Sequence, residues 1–173
     1  MRVISGKYKG RTLKGFNIDG TRPTMNRVKE SLFAMINSYL PNSSCLDLFA
    51  GTGALGIEAI SNGAGRVTFV DNNKIAIETI KLNTKNITEN IEIILCDYKK
   101  YLKNCSSKFD IIFLDPPYNQ GLISKTINYI LENNLLKEEG ILVCEYEKEN
   151  IICPLKLIKE KSYGGKNIKI FQK

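Results

Sequence analysis

The sequence predicts an α/β fold built on a doubly wound, mostly parallel seven-stranded sheet that ends in an antiparallel hairpin. Three observations carry that reading. From residue 45 onward, short apolar runs alternate regularly with helical patterns. The runs are continuous and rich in β-branched residues, not alternating, as expected of strands covered on both faces. The last two β-like runs flank "GGK" at 164–166 with no room for a crossover helix, so the closing pair must be a hairpin.

The elements follow in order. "RVIS" and "RTLKG" around the turn-rich "GKYKG" predict a small N-terminal β-hairpin. Met25, Val28, Leu32, Phe33, Ile36, Tyr39 and Leu40 recur near 3.6 residues, predicting an amphipathic helix over about 25–40 with Thr24 as its cap. Strands are expected at 45–49, 66–70, 91–95, 110–114 and 140–146. Helices are expected between them at 53–62, 73–86 and 122–135, with a short one at "YKKYL". "LKLIKEKSY" and "NIKIFQK" form the final hairpin. The chain thus divides into a basic extension, 1–24, and one domain, 25–173.

Composition narrows the chemistry. The 173 residues include no histidine, which excludes Ser-His-Asp catalysis, histidine–metal sites and an imidazole base. No metal is expected. Cys45, Cys96, Cys105, Cys144 and Cys153 form no C-x-x-C pair and read as reduced thiols of a cytosolic protein. No apolar run approaches the ~20 residues of a membrane span, and the N-terminus lacks the apolar core of a secretory signal. Of the net charge of +7, the first thirty residues hold an excess of six: eight cations against Asp19 and Glu30. Interleaved with glycines and aromatics, that patch suits a phosphate backbone.

"LDLFAGTGALG" contains G-x-G-x-x-G at Gly51, Gly53 and Gly56, with Asp71 twenty positions after Gly51. A strand running into a glycine turn and a helix start offers free N–H groups and a positive dipole end. An acid after the second strand suits ribose hydroxyls. By itself this pattern fits a nicotinamide oxidoreductase or another adenosine-bearing cofactor. Asp47 begins to separate the two, because a carboxylate there repels a pyrophosphate but favours an ammonium or a sulfonium. Asp97, in "CDY", could accept from an adenine amino group or cap the helix that follows it.

"FDIIFLDPPYNQG" at 109–121 is more specific. A buried strand ends in Asp115, Pro116, Pro117 and Tyr118. The prolines stiffen the backbone at the sheet edge where α/β proteins bind ligands. An exocyclic amino group donating to the Asp115 carboxylate and the Pro116 carbonyl would have its lone pair localised and aimed. Tyr118 would stack on the base. With an ordinary aspartate pKa, Asp115 is a weak base, so its expected work is orientation.

"DLFAGTGALG", "FVD", "CDY" and "LDPPY" resemble the motifs of class I S-adenosylmethionine-dependent methyltransferases, a Rossmann-like fold. "RVISGKYKGRTLKG" and "RPTMNRVKESLF" are similar to the bacterial small-subunit ribosomal RNA guanine-N2 methyltransferases of the RsmD type, and the resemblance spans essentially the whole chain. It implies methyl transfer from S-adenosylmethionine, with S-adenosylhomocysteine as product, to a guanine N2 in 16S rRNA of the small subunit or an assembly intermediate, by a monomer. It implies an amino-group site at Asp115, Pro116, Pro117 and Tyr118. The cofactor contacts it implies are Asp47, Phe49, Ala50, Gly51, Gly53, Asp71, Asn72, Cys96 and Asp97. Lys7, Lys9, Arg11 and Arg22 become RNA contacts. Asn26 and Lys29 depart from the family's usual Asp and Arg. The competing readings are a DNA adenine methyltransferase, for which the chain leaves little room to build a target-recognition region, and an RNA-binding module without activity.

Overall fold

The computed structural model describes residues 1–15, 23–117 and 121–173, with the side chains of 23–25 set aside. Expectations for Arg22 and Tyr118 fall outside the described residues. The strands are β1 (Ser44–Asp47), β2 (Arg66–Asp71), β3 (Asn90–Leu95), β4 (Phe109–Leu114), β5 (Leu136–Tyr146), β6 (Lys156–Tyr163) and β7 (Lys166–Gln172). The helices are α1 (Pro23–Ile36), α2 (Ala54–Ser61), α3 (Lys74–Thr84), α4 (Tyr98–Asn104) and α5 (Leu122–Glu132).

One seven-stranded sheet has the order β3-β2-β1-β4-β5-β7-β6. The first five strands are parallel, and β7 runs antiparallel between β5 and β6. The doubly wound sheet and its closing hairpin are therefore as the sequence predicts. The rule of burial on both faces holds for the central strands but not for β3, whose residues are exposed or half-buried because it stands at the sheet edge. Among the described residues no helix is long and apolar enough to cross a membrane.

Side chains alternate across a strand, and here they divide between two cores. Cys45, Ile111, Phe113, Ile141, Val143, Ile168 and Ile170 pack on one face with α1, α2, α3 and the N-terminal residues Val3 and Leu13. Leu46, Ile112, Leu114, Leu142 and Phe171 pack on the other with α4 and α5. The first face is the one that positions the site.

Two local expectations differ from the structure. Helix α1 starts at Pro23, a favoured first helical residue, so Thr24 lies within the first turn instead of capping it. A 3-10 turn, Asn37–Tyr39, replaces its expected last turn. The expected small N-terminal hairpin is present: Arg2 and Thr12 form an antiparallel bridge, and the Val3, Gly10 and Leu13 N–H groups donate to the Arg11, Val3 and Met1 carbonyls. Beyond Val3 the backbone turns to α2 for its partners. The Glu58 carboxylate accepts from the Ile4 and Ser5 N–H groups at 3.0 and 2.9 Å. The Ser61 carbonyl and hydroxyl accept from the Lys7 and Tyr8 N–H groups. Glu58 is fully buried and also pairs with Lys29 at 2.9 Å, while Lys29 donates to the Arg2 carbonyl. Residues 1–15 are thereby strapped to α1 and α2.

Candidate active site

At the carboxyl edge of the parallel strands lies a cavity of about 790 Å³, within the range of small-molecule sites. Its wall includes Asp47, Phe49, Ala50, Gly51, Asp71, Asn72, Cys96 and Asp97 from the first three strand ends, together with Asp115, Pro116 and Pro117 from the fourth. The two motif groups therefore open into one space.

Each carboxylate of the first group is held by backbone. Asp71 accepts from the N–H of Gly51 with one oxygen, at 2.8 Å, and from that of Asn73 with the other, at 2.9 Å. Asp97 caps α4, its Oδ1 accepting from the N–H groups of Lys99 and Lys100. A carboxylate has about four acceptor positions, so both acids keep capacity toward the cavity. Asp47 accepts from the Gly56 N–H at 2.9 Å. Burial, opposed by that bond and reinforced by the charge of Asp71, pushes its carboxyl up to about 7.

Gly51 lines the cavity in the left-handed region, at φ +53°. Gly53 and Gly56 do not line it. A Cβ on Gly53 would meet Ile80 and Phe69 at 3.3 Å, and one on Gly56 would lie 2.2 Å from the Phe69 ring. So one glycine of the motif faces the ligand space, while the other two let α2 close onto β2. Gly53, for which the resemblance implies a cofactor contact, is closely packed against Ile80 and Phe69.

A pyrophosphate fits this site poorly. Five carboxylates line the space, and Asp47 already takes a donor in the first turn of α2. The same set suits a ligand rich in hydroxyl and amino donors.

The side of the cavity formed by β4, β5 and β7 is more strongly charged than the sequence suggests. Burial pushes the Asp115 carboxyl well above the usual carboxylate range, the charges of Glu145 and Asp47 add to the rise, and Lys166 opposes it. Asp115 is therefore a better proton acceptor than an ordinary aspartate. Glu145 and Lys166 both line the cavity, paired at 2.7 Å. Sequence reasoning passed over them. The available signal was a repeated spacing: Cys45-x-Asp47, Phe113-x-Asp115 and Val143-x-Glu145 each place a charge two residues past an inward apolar residue. Two further wall residues were missed. Tyr98 packs against Phe49 with ring centroids 5.2 Å apart and planes tilted by 46°. Lys29, from the strapped N-terminal side, reaches the same wall.

The expected nucleic-acid contacts are only partly unencumbered. Lys7 pairs with Glu89 at 2.7 Å, and Tyr8 donates its hydroxyl to the same carboxylate. Burial would raise Glu89, but these two bonds prevail and lower it to about 2. The Arg11 guanidinium donates to the Lys85 carbonyl. Lys9 and Lys14 are exposed. The Tyr8 ring has Lys7 and Arg11 at 5.1 and 5.9 Å from its centroid.

Comparison with known proteins agrees with this geometry. The family described as Conserved hypothetical protein 95 matches residues 1–172. A curated Buchnera aphidicola protein named ribosomal RNA small subunit methyltransferase D is 44% identical over 155 residues, which are 88% of this chain and 81% of that protein. Its namesake in Haemophilus influenzae is 38% identical over 180 residues, covering 99% and 93%. A solved Escherichia coli structure described as a putative methyltransferase, yhhF, superposes with a TM-score of 0.91 at 31% identity, covering 100% of this chain and 97% of that one. The chain belongs to this family.

Proposed function

We propose, on the premise of that family membership, that this protein is an S-adenosylmethionine-dependent methyltransferase acting on the N2 amino group of a guanine in 16S rRNA of the small subunit. The observation that carries the reading is the shared cavity: a donor-binding carboxylate set and the Asp115-Pro116-Pro117 edge face one space.

Asp71 would hold the ribose hydroxyls, Asp97 the adenine amino group, and Asp47 the ammonium of the methionine part. When bound, S-adenosylmethionine supplies an activated methyl group, so the protein's work is orientation and charge placement. Asp115 accepts one amino N–H, and the Pro116 carbonyl the other. This localises the nitrogen lone pair, which delocalisation into the base ring otherwise weakens. The proton released on N-methylation finds a carboxylate whose affinity for it is already raised by burial. Tyr118 is assigned the stacking role. The exposed cations near the N-terminus would meet the phosphate backbone, on the side from which Lys29 reaches the cavity.

The test uses small subunits from cells lacking the protein. With labelled S-adenosylmethionine, the purified chain should methylate a single guanine at N2, located by nucleotide mapping. Transfer to adenine in duplex DNA, with none to the subunits, would refute the reading.

A further inference from the structure

Four charges extend one inner face of the sheet. In β4, Ile111 and Phe113 point to the first core, and the same alternation brings Asp115 to that side. In β5, Ile141 and Val143 lead to Glu145. In β7, Ile168 and Ile170 share their face with Lys166, the strand's first residue. In β1, Cys45 leads to Asp47. Because β7 is antiparallel, its first residue stands at the edge where β5 ends. The strands run β1-β4-β5-β7, so the row reads Asp47, Asp115, Glu145, Lys166 along the cavity.

Guanine presents three groups in line along its pairing edge: the N2 amino donor, the N1–H donor and the O6 acceptor. Across β4, β5 and β7 the wall offers a carboxylate, a carboxylate and an ammonium. We propose that Glu145 and Lys166 select guanine, Glu145 accepting from N1–H and Lys166 donating to O6, while Asp115 takes the N2 amino group. This rests on the guanine-N2 reading above and names the residues that would enforce it.

The chemistry of the pair permits it. Their 2.7 Å contact joins an ammonium, which has three donors, to a carboxylate, which has about four acceptor positions. The contact also fixes both heads before the base arrives, which reduces the ordering cost of binding. Adenine is excluded by the same pair. With its amino group on Asp115, its N1 would set a lone pair against the Glu145 carboxylate.

The test separates base choice from general damage. Small subunits are reconstituted from ligated 16S rRNA carrying guanine or 2,6-diaminopurine at the mapped target. Diaminopurine keeps the N2 amino group, but its N1 is an acceptor and its N6 a donor. The wild-type chain should prefer guanine by about 10–100-fold in kcat/KM, the range of a good bidentate base contact. In Glu145→Gln the side-chain amide can donate to N1, so diaminopurine turnover should rise while guanine turnover falls, reducing the preference at least tenfold. Lys166→Gln should shift the ratio in the same direction. It is the deciding variant if E145Q does not fold, as judged by a thermal shift with S-adenosylmethionine. A purely structural pair would lower both substrates together. A guanine preference unchanged within twofold in the folded variants overturns this inference and leaves guanine-N2 methylation standing. Failure of the wild-type chain to methylate the guanine subunits overturns the parent reading instead.

Discussion

At the ends of β1, β2 and β3 the carboxylates are fastened by nearby backbone N–H groups, whereas at the ends of β4, β5 and β7 the charges answer one another across strands. Asp71 takes two N–H groups, Asp97 two and Asp47 one. Asp115, by contrast, is governed by burial and by the charges of Glu145, Lys166 and Asp47. The first arrangement orients its carboxylates and prepares them to accept from a neutral or cationic ligand. The second keeps a proton affinity high and a charge balance adjustable. On the proposed function, the first half would hold the cofactor still and the second would handle the proton.

The largest test of that division is Asp115→Ala. Methyl transfer should fall by about 10²–10³-fold, the scale for losing a preorganised polar contact at the reacting atom. Affinity for S-adenosylmethionine by calorimetry should stay within about threefold of wild type, since the binding half is fastened independently. Equal losses in both measurements would show that the halves are not separable. Asp71→Ala should do the reverse. Loss of a hydrogen-bonded carboxylate weakens cofactor binding by roughly 10–100-fold, while kcat at saturating cofactor changes little. A collapse of kcat without a rise in KM for the cofactor would reassign Asp71 to the chemistry.

The same division explains what was legible in the sequence. The strand–helix alternation, the glycine turn and the acids at 47, 71, 97 and 115 could be read because each is local: strand, turn and partner lie within a few residues, or within one repeat of the fold. Gly51 and Gly56 look alike in the motif, yet only the structure separates them, because the obstacle at Gly56 is the ring of Phe69 on another strand. Glu145 and Lys166 were hidden for the same reason. Their meaning depends on β7 inserting antiparallel beside β5, a pairing between segments that no local pattern encodes. The N-terminal hairpin is local too and forms as read, whereas its attachment to α2 through the buried Glu58 carboxylate joins residues more than fifty positions apart.

Asp47 belongs to both halves and offers a smaller, pH-dependent effect. Burial, with the charge of Asp71 adding to it, pushes its carboxyl up to about 7. A raised aspartate binds more protons folded than unfolded, so its contribution to stability is greatest below the ordinary carboxylate pKa and is lost as pH rises toward 7. Cofactor binding has the opposite sign, because an ammonium prefers the ionised form. Affinity should therefore rise about five- to tenfold between pH 6 and 7.5, following the ionised fraction. Asp47→Asn should flatten that profile. A wild-type affinity that is level across the window would remove Asp47 from the ammonium site.

The smallest effect concerns the basic surface. Lys7 spends its charge on Glu89 and Arg11 is tied to the Lys85 carbonyl, whereas Lys9 is exposed and makes no such contact among the described residues. Counterion release counts only cations that meet phosphate, each lowering the slope of log K against log salt by about 0.7–0.9. Lys9→Ala should therefore flatten the salt dependence of RNA binding by nearly one unit, with little change in turnover at saturating substrate. Lys7→Ala should flatten it less, because an exposed pair of this kind contributes little and its loss leaves Glu89 uncompensated beside the RNA. That residual negative charge gives a sharper check. If Lys7 meets phosphate only after releasing Glu89, then Glu89→Gln alone should steepen the salt slope and tighten binding at low salt. An E89Q slope identical to wild type would mean that this face of the strapped N-terminal segment does not touch the RNA.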